Sequence, residues 1–577
     1  MRLRLRWGSG FRGGSLPAYE TGPDTVAAIT RKRWRRRLTP GVTLDTMIGR
    51  VFLKPNVLVE PLFNQWYAWL GLIPPATAAS YIANSHLKIM RSFVAAPQTH
   101  VSALSSPLLM GGPFINYDAR AVGAIKSLIE TTVREQAQLL RLAEEIRVLD
   151  ELLGVEASGY SLEPLYKSIP DSLKGYVELV YDVNNHPSFR IIEGLMYKSD
   201  YYDESHQSLG LELIYDDDRP FVFSTPRLES EDQIHLKVPY ASDVVDELFR
   251  MKFNAGSISA IREILDLKGG RDRTFSSFFT ETPPRQGVRY QGEGVRIRYF
   301  GHATILIETK DVAVLTDPVV SCHQGNGIDR YTFVDLPPFI DYILITHNHQ
   351  DHCMLETLLQ LRHKTGNLIV PKNSGGSVID PSMKLALRQI GFKNVSEIDE
   401  MEEVQIAGGR IVGLPFIGEH ADLNIRSKIA YSIQVAGRAI LCVADSNNLE
   451  SRMYGLIHSY LKEVDVIFLG MECDGAPLSW VYGPLLTKAL ARKFDQSRRL
   501  SGSDCDRGIG IIDQLKPKQV YVYAMGQEPW MTFVTAIHYT PESRPIIESD
   551  KLIAECRRRG LESERLFSRK EILLDAA

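Results

Sequence analysis

The feature that most constrains this chain is the heptapeptide Thr346-His347-Asn348-His349-Gln350-Asp351-His352, which directly follows the apolar run Tyr342 to Ile345. Four potential metal ligands fall within six residues, at the exit of what reads as a buried strand. Imidazole and carboxylate groups are costly to bury unless a charge or a hydrogen-bond partner satisfies them. A dinuclear metal centre does so, and a purely structural loop has little use for this composition.

The rest of the composition is permissive. A length of 577 residues allows two to four domains, at roughly 150 residues per domain. The hydrophobic fraction of 44% and charged fraction of 24% are those of a soluble globular protein. A net charge of −4 gives no overall electrostatic case for nucleic acid. No apolar run approaches the ~18–20 residues that span a bilayer, so no membrane partner is expected. The six cysteines are scattered, without a C-x-x-C pair, which reads as a reducing, cytoplasmic setting. Cys353 follows the His/Asp cluster and is a candidate ligand, although the neighbour of a ligand usually points elsewhere.

Residues 1–46 differ from the rest of the chain. They carry Arg31-Lys32-Arg33-Trp34-Arg35-Arg36-Arg37 and little hydrophobic periodicity. A basic run can bind an acidic surface, but the segment reads as a disordered tail, or as translated sequence upstream of an initiator at Met47. It has no apolar core of a secretory signal. Residues 47–282 read as an α+β domain. Residues 118–154 carry helical periodicity, with Gly154 as the stop, and residues 174–240 read as strands. Five histidines here (His86, His100, His186, His206, His235) show no ligand spacing. A linker-like stretch, Thr280 to Gly287, precedes a second domain, 288–577. There, short apolar strands alternate with helical segments, a pattern compatible with two packed sheets and outer helices.

Several motifs of this second domain occur in a fixed order. They are Gly301-His302-Ala303-Thr304, Thr316-Asp317-Pro318, the H-x-H-x-D-H loop, Gly418-Glu419-His420-Ala421-Asp422 and Val443-Ala444-Asp445-Ser446. Together they resemble the metallo-β-lactamase superfamily, which implies an α/β class fold with a C-terminal αββα sandwich. The resemblance implies that His347 and His349 serve one metal, Asp351 and His352 the other, and that Asp445 bridges. Asp317 is either a support that orients a ligand histidine or a simple turn former. His302 is a candidate near the site.

The third motif leaves two readings open. If Glu419 is the ligand, His347, His349 and a carboxylate form the two-histidine, one-carboxylate set that suits non-haem iron and leaves positions for dioxygen. If His420 is the ligand, the site is that of a dinuclear zinc hydrolase, acting on an ester, thioester or phosphodiester.

The stretches Gly470 to Pro477 and Tyr523 to Trp530, with the spacing from His347 through Glu419 to Asp445, resemble a narrower family. It is that of the diiron β-hydroxylases typified in chloramphenicol biosynthesis, and the likeness runs from about Met47 onward. This resemblance implies Glu419 as third ligand, two iron ions with dioxygen as co-substrate, and hydroxylation at the β-carbon of an aminoacyl group on a nonribosomal peptide synthetase carrier domain. It also implies an N-terminal domain used in dimerisation and carrier docking. No G-x-G-x-x-G fingerprint follows a strand, so an external electron donor is expected. The last ligand of the second metal is open: His538 is the only later histidine, Glu528 is a substitute, and water or substrate is the remaining choice. Glu472 and Asp474 are expected on the pocket rim. Trp480, Tyr482 and Trp530 read as pocket wall or core. A non-catalytic scaffold is a further alternative that the near-complete ligand set opposes.

Overall fold

Two seven-stranded sheets lie face to face between residues 295 and 574 of a computed structural model, which describes residues 50–265, 270–323 and 327–576. The basic segment 1–46 lies outside the described residues.

The first sheet uses β1 (Val295–Tyr299), β2 (Ile305–Glu308), β3 (Ala313–Thr316), β4 (Ile340–Leu344), β5 (Thr365–Pro371) and β6 (Val395–Ile398). The second uses β7 (Glu403–Ile406), β8 (Gly409–Leu414), β9 (Ala430–Val435), β10 (Arg438–Cys442), β11 (Val466–Gly470), β12 (Gln519–Tyr523) and β13 (Glu562–Arg565). The chain ends with β14 (Lys570–Leu574), which returns to the first sheet beside β1. The strand orders are β6-β5-β4-β3-β2-β1-β14 and β7-β8-β9-β10-β11-β12-β13.

Each sheet begins antiparallel and turns parallel, at β3–β4 in the first and β10–β11 in the second. A parallel pair needs a crossover, usually a helix. Leu355–Leu361 links β4 to β5, Ser451–Leu461 links β10 to β11, and Cys505–Leu515 links β11 to β12. The two-residue period of a strand sorts its side chains. In β12, Tyr521 and Tyr523 face the other sheet with Ile297, Ile307 and Phe468. Val520 and Val522 face the outer helices with Ile511 and Leu552. Each such fully buried apolar side chain stabilises the fold by roughly 1.5–3 kcal/mol.

Ahead of the sandwich, a four-stranded antiparallel sheet runs in the order Trp66–Tyr67, Val57–Phe63, Gln207–Leu213, Ile234–Lys237. The single helix expected over 118–154 is two helices, Val122–Glu135 and Ala137–Glu156, broken at Gln136. Gly154 does not stop the second; a glycine inside a helix costs only about 1 kcal/mol, and tertiary packing carries the helix through it. The expected linker also opens on paired structure, since Phe279–Thr280 pairs with Phe52 and Leu53.

A buried ion network ties this sheet to the sandwich. Arg219 Nη2 lies 2.5 Å from Glu60 Oε1 and 2.7 Å from Glu356 Oε2, and Arg227 Nε donates to Glu60 at 2.7 Å. Burial alone would raise the Glu60 pKa, but Arg227 and Arg219 outweigh it and hold the carboxyl at about 2. Glu356 sits on the helix that leaves the His/Asp loop, so the network fixes where that helix starts.

Candidate metal centre

The site forms where strands of both sheets end on the same side. The turn between β1 and β2 carries His302, and the end of β3 carries Asp317. The loop after β4 carries His347 to His352. The ends of β8, β10 and β11 carry Glu419, Asp445 and Glu472. Several of these junctions hold left-handed backbone in non-glycine residues: His302 (φ 49°), Asp317 (35°), Glu419 (65°), Ala444 (47°) and Ala524 (52°). Such conformations cost energy and persist where the surroundings over-determine them, commonly at functional sites.

Three groups of potential ligand atoms converge within 4.8 Å: His347, His349 and Glu419; His347, His352 and Asp445; His302, Asp351 and His352. Hydrogen bonds decide which nitrogen of each ring is free. Thr346 Oγ1 donates to Asp317 Oδ2 at 2.6 Å and accepts from His347 Nδ1 at 3.0 Å. His352 Nδ1 lies 2.8 Å from Asp317 Oδ2. Both rings therefore present Nε2 to the centre. His349 turns the other way: Nε2 shares a hydrogen bond with the Tyr482 hydroxyl at 2.8 Å, and Nδ1 faces Glu419 Oε1 at 2.8 Å. Asp445 Oδ2 stands between the clusters, 3.0 Å from His352 Nε2 and 3.7 Å from His347 Nε2.

The donor set fits two metal ions. His347 Nε2 and His352 Nε2 are buried and make no hydrogen bond. Buried polar atoms without partners are rare and expensive, and these two converge on Asp445 Oδ2, where cations would satisfy them. Burial, reinforced by the His352 and His349 rings, drives the His347 pKa far below the usual histidine value, which favours the neutral ring that a metal would need. Burial opposes charge on His352 as well, but Asp445, Asp351 and Asp317 outweigh it and raise its pKa. Burial would raise the Glu419 pKa, yet His349 and His420 hold that carboxyl well below its usual range.

A cavity of about 300 Å³ opens onto these ligands. Glu472, Trp480, Leu500 and the Met525–Gly526 turn form its walls, and Met110–Gly111 reach in from the N-terminal half. Trp480 Nε1 donates to Gly111 O at 3.0 Å and its ring stacks on Phe221 (5.9 Å, 26°). Burial pushes the Glu472 carboxyl well above its usual range, and Asp445 and Asp474 add to that.

Known proteins resemble this arrangement at full length. The family of diiron non-haem β-hydroxylase N-terminal domains matches residues 52–283, and that of β-lactamase superfamily domains matches residues 296–470. The 4-amino-L-phenylalanyl-[CmlP-peptidyl-carrier-protein] 3-hydroxylase of Streptomyces venezuelae is 38% identical over 532 residues, 91% of this chain and 100% of that protein. The chain belongs to the diiron β-hydroxylase family. The crystal structure of CmlA, a diiron β-hydroxylase from Streptomyces venezuelae, superimposes with a TM-score of 0.85 at 37% identity, covering 91% of this chain and all of that one. A glutamate-to-aspartate variant of CmlA gives a TM-score of 0.84 over the same coverage.

In this hydroxylase the remaining candidates separate. Asp317 is the hydrogen-bonded support of Thr346 and His352, not a bare turn former. His420 stacks on His349 (4.6 Å, 20°) and sets Nδ1 2.6 Å from Glu419 Oε2, so it touches the carboxylate rather than the converging nitrogens. His538 is exposed and joins none of the ligand groups. Glu528 is buried away from them and accepts from the Tyr299 hydroxyl. Cys353 is buried in the core. Trp530 packs against Gly301 and under Arg330, outside the cavity wall. Asp474 lies exposed at the cavity mouth. Sequence reasoning missed three functional contacts: Tyr482 on His349, Thr346 on His347, and the Met110–Gly111 wall.

His302 lies beside the second cluster, but its hydrogen bonds argue against ligation. The Gly526 amide donates to His302 Nδ1 at 3.2 Å. With Nδ1 accepting that proton, the ring's own proton belongs on Nε2, which faces Asp351 Oδ2 at 3.3 Å. A nitrogen that carries a proton offers no lone pair to a metal, so the geometry favours His302 as a neighbour that positions Asp351. His302→Ala is expected to keep both irons and to lower turnover by about 10–100-fold, as for other supporting partners of metal ligands. His302→Gln, which restores a donor and an acceptor, should recover part of it. Loss of one of the two irons in His302→Ala, by metal analysis, would make His302 a ligand.

Proposed function

We propose that the protein is a diiron monooxygenase that hydroxylates, at the β-carbon, an aminoacyl group held as a thioester on a carrier domain of a nonribosomal peptide synthetase. The observation that carries this reading is Glu419. It stands where a zinc hydrolase would place a third histidine, and completes a two-histidine, one-carboxylate set with His347 and His349, as suits iron. The relative of known activity acts on a carrier-bound 4-amino-L-phenylalanyl group, which supports the substrate class.

His347, His349 and Glu419 would hold one iron, Asp351 and His352 the other, and Asp445 would be shared. When bound, the iron pair supplies the redox chemistry that inserts one oxygen atom of dioxygen into a C–H bond and releases the other as water. That balance takes two electrons and two protons from outside, and we propose a separate electron donor. Asp317, Thr346 and Tyr482 fix the ligand rings, and His302 holds Asp351. Trp480, Leu500 and Val481 exclude water around the acyl group. The second cluster has fewer protein ligands than the first, which leaves room there for dioxygen or substrate. We further propose that residues 47–282 serve in homodimerisation and carrier docking, and that the protein works in the cytoplasm. No helix among the described residues is long and apolar enough to cross a membrane.

Protein produced with iron-57 tests the reading. Two coupled irons per chain by Mössbauer spectroscopy, and incorporation of one labelled oxygen atom from dioxygen into a carrier-bound aminoacyl group, are expected. Two zincs, with iron absent even when supplied, would replace it with the hydrolase.

A further inference from the structure

The chain carries a cation cluster that the reaction above does not use. Residues 486–500 hold Lys488, Arg492, Lys493, Arg498 and Arg499 against one acid, Asp495, in a chain whose net charge is −4. Asp495 is occupied, accepting from Ser479 N and Oγ at 2.8 Å each. Lys488, Arg492 and Lys493 are exposed, as is Phe494 beneath the Lys493 ammonium.

The Arg499 end of this cluster sits at the mouth of the cavity because two extended segments are paired there. Gly502 N donates to Glu472 O (2.8 Å), Leu500 N to Ala476 O (2.8 Å) and Leu478 N to Arg498 O (2.9 Å). They press so closely that a Cβ on Gly475 would lie 1.3 Å from Leu500 O. Glu472, Ala476 and Leu500 therefore face the cavity, and Arg499, next to buried Leu500, faces the rim.

Arg498 and Arg499 differ in their commitments. Arg498 is fastened by Nε to Ala421 O at 2.8 Å. Arg499 makes only loose contacts: Nη1 to Gln496 Oε1 at 3.3 Å and Nη2 to exposed Asp474 Oδ1 at 3.7 Å. Its Nε makes no hydrogen bond. An exposed pair of that geometry contributes about 0–1 kcal/mol, so the guanidinium fork is available to a better anion. A planar fork suits phosphate oxygens bidentately.

We propose that Arg499 binds the phosphodiester at the root of the phosphopantetheine arm that delivers the acyl group. This rests on the carrier-bound substrate proposed above. An arm entering this mouth puts its thioester inward, towards Glu472 and the proposed metal ligands, and its phosphate outward, where Arg499 stands.

The test uses the iron-loaded full chain. By titration calorimetry, the wild type should bind phosphopantetheine about tenfold more tightly than pantetheine, the scale of one charge-assisted hydrogen bond. Arg499→Ala should erase the difference and leave pantetheine binding unchanged, while Arg499→Lys keeps part of it. In turnover, Arg499→Ala should raise KM for the carrier-borne substrate about tenfold with kcat little changed, and leave the aminoacyl-pantetheine thioester unaffected. Equal binding of the two arms by the wild type would overturn the proposal. So would a higher carrier KM in Arg499→Ala with both free arms bound as in the wild type, since the arginine would then read the carrier's protein surface. If the wild type hydroxylates no thioester while the phosphate-dependent difference persists, the functional reading fails and the phosphate site stands.

Discussion

Glu419→Ala is expected to strip most of the iron from the protein, whereas His420→Ala leaves most of it in place. The two side chains are adjacent in sequence and both are buried, so the contrast does not come from exposure. It comes from where their atoms point. Glu419 Oε1 faces His349 Nδ1 at 2.8 Å, and Oε2 faces His420 Nδ1 at 2.6 Å. His420 faces Glu419 itself and lies parallel to the His349 ring. Removing Glu419 takes a charged oxygen from beside His347 and His349, and a divalent ion held there as proposed would then have no local counter-charge except Asp445. Removing His420 takes away a neighbour that orients Glu419, an effect of about tenfold in metal affinity, at the low end for such partners. Iron content of both variants, with circular dichroism to establish that each is folded, checks the ranking. The reverse ranking would make His420 the third ligand and favour zinc hydrolysis.

What the sequence shows and hides depends on distance along the chain. The H-x-H-x-D-H loop, Glu419 and Asp445 each sit at the end of an apolar strand, so local pattern alone places them on one rim. Strand positions were legible for the same reason: an apolar run of four to six residues reads as a strand wherever it lies in the sandwich. The partners that set ring orientation were not legible. Tyr482 lies 133 residues from His349, Gly526 lies 224 from His302, and Gly111 lies 369 from Trp480. No spacing rule links such pairs; only the packed fold does. That is why His302 stood in the sequence as an unplaced candidate and in the structure beside Asp351, 3.3 Å from its Oδ2. The break at Gln136 was hidden for a different reason, since apolar periodicity continues across it while the backbone turns away.

Asp445→Ala should have the widest effect on the centre, because the proposed assignment has both metals share this carboxylate. Its Oδ2 is 3.0 Å from His352 Nε2 and 3.7 Å from His347 Nε2, and its Oδ1 makes no hydrogen bond. Without it, His352 loses one of the three carboxylates that favour positive charge beside it, leaving Asp351 and Asp317. The first cluster keeps His347, His349 and Glu419, a complete set for a single ion. The second keeps only Asp351 and His352. Iron content is therefore expected to fall to about half or less of the wild-type value, since metal affinity depends on the number of deprotonated ligands. What remains should give the Mössbauer signature of an isolated high-spin ion rather than a coupled pair. Hydroxylation should fall below detection, because the proposed oxygen chemistry would draw on both metals. Asp445→Glu separates loss of the ligand from loss of packing: a longer carboxylate that restores two irons but not turnover would show that the position of the shared oxygen, and not its charge alone, sets the chemistry. Two coupled irons in Asp445→Ala would remove Asp445 from the bridge and leave the clusters to be joined by solvent.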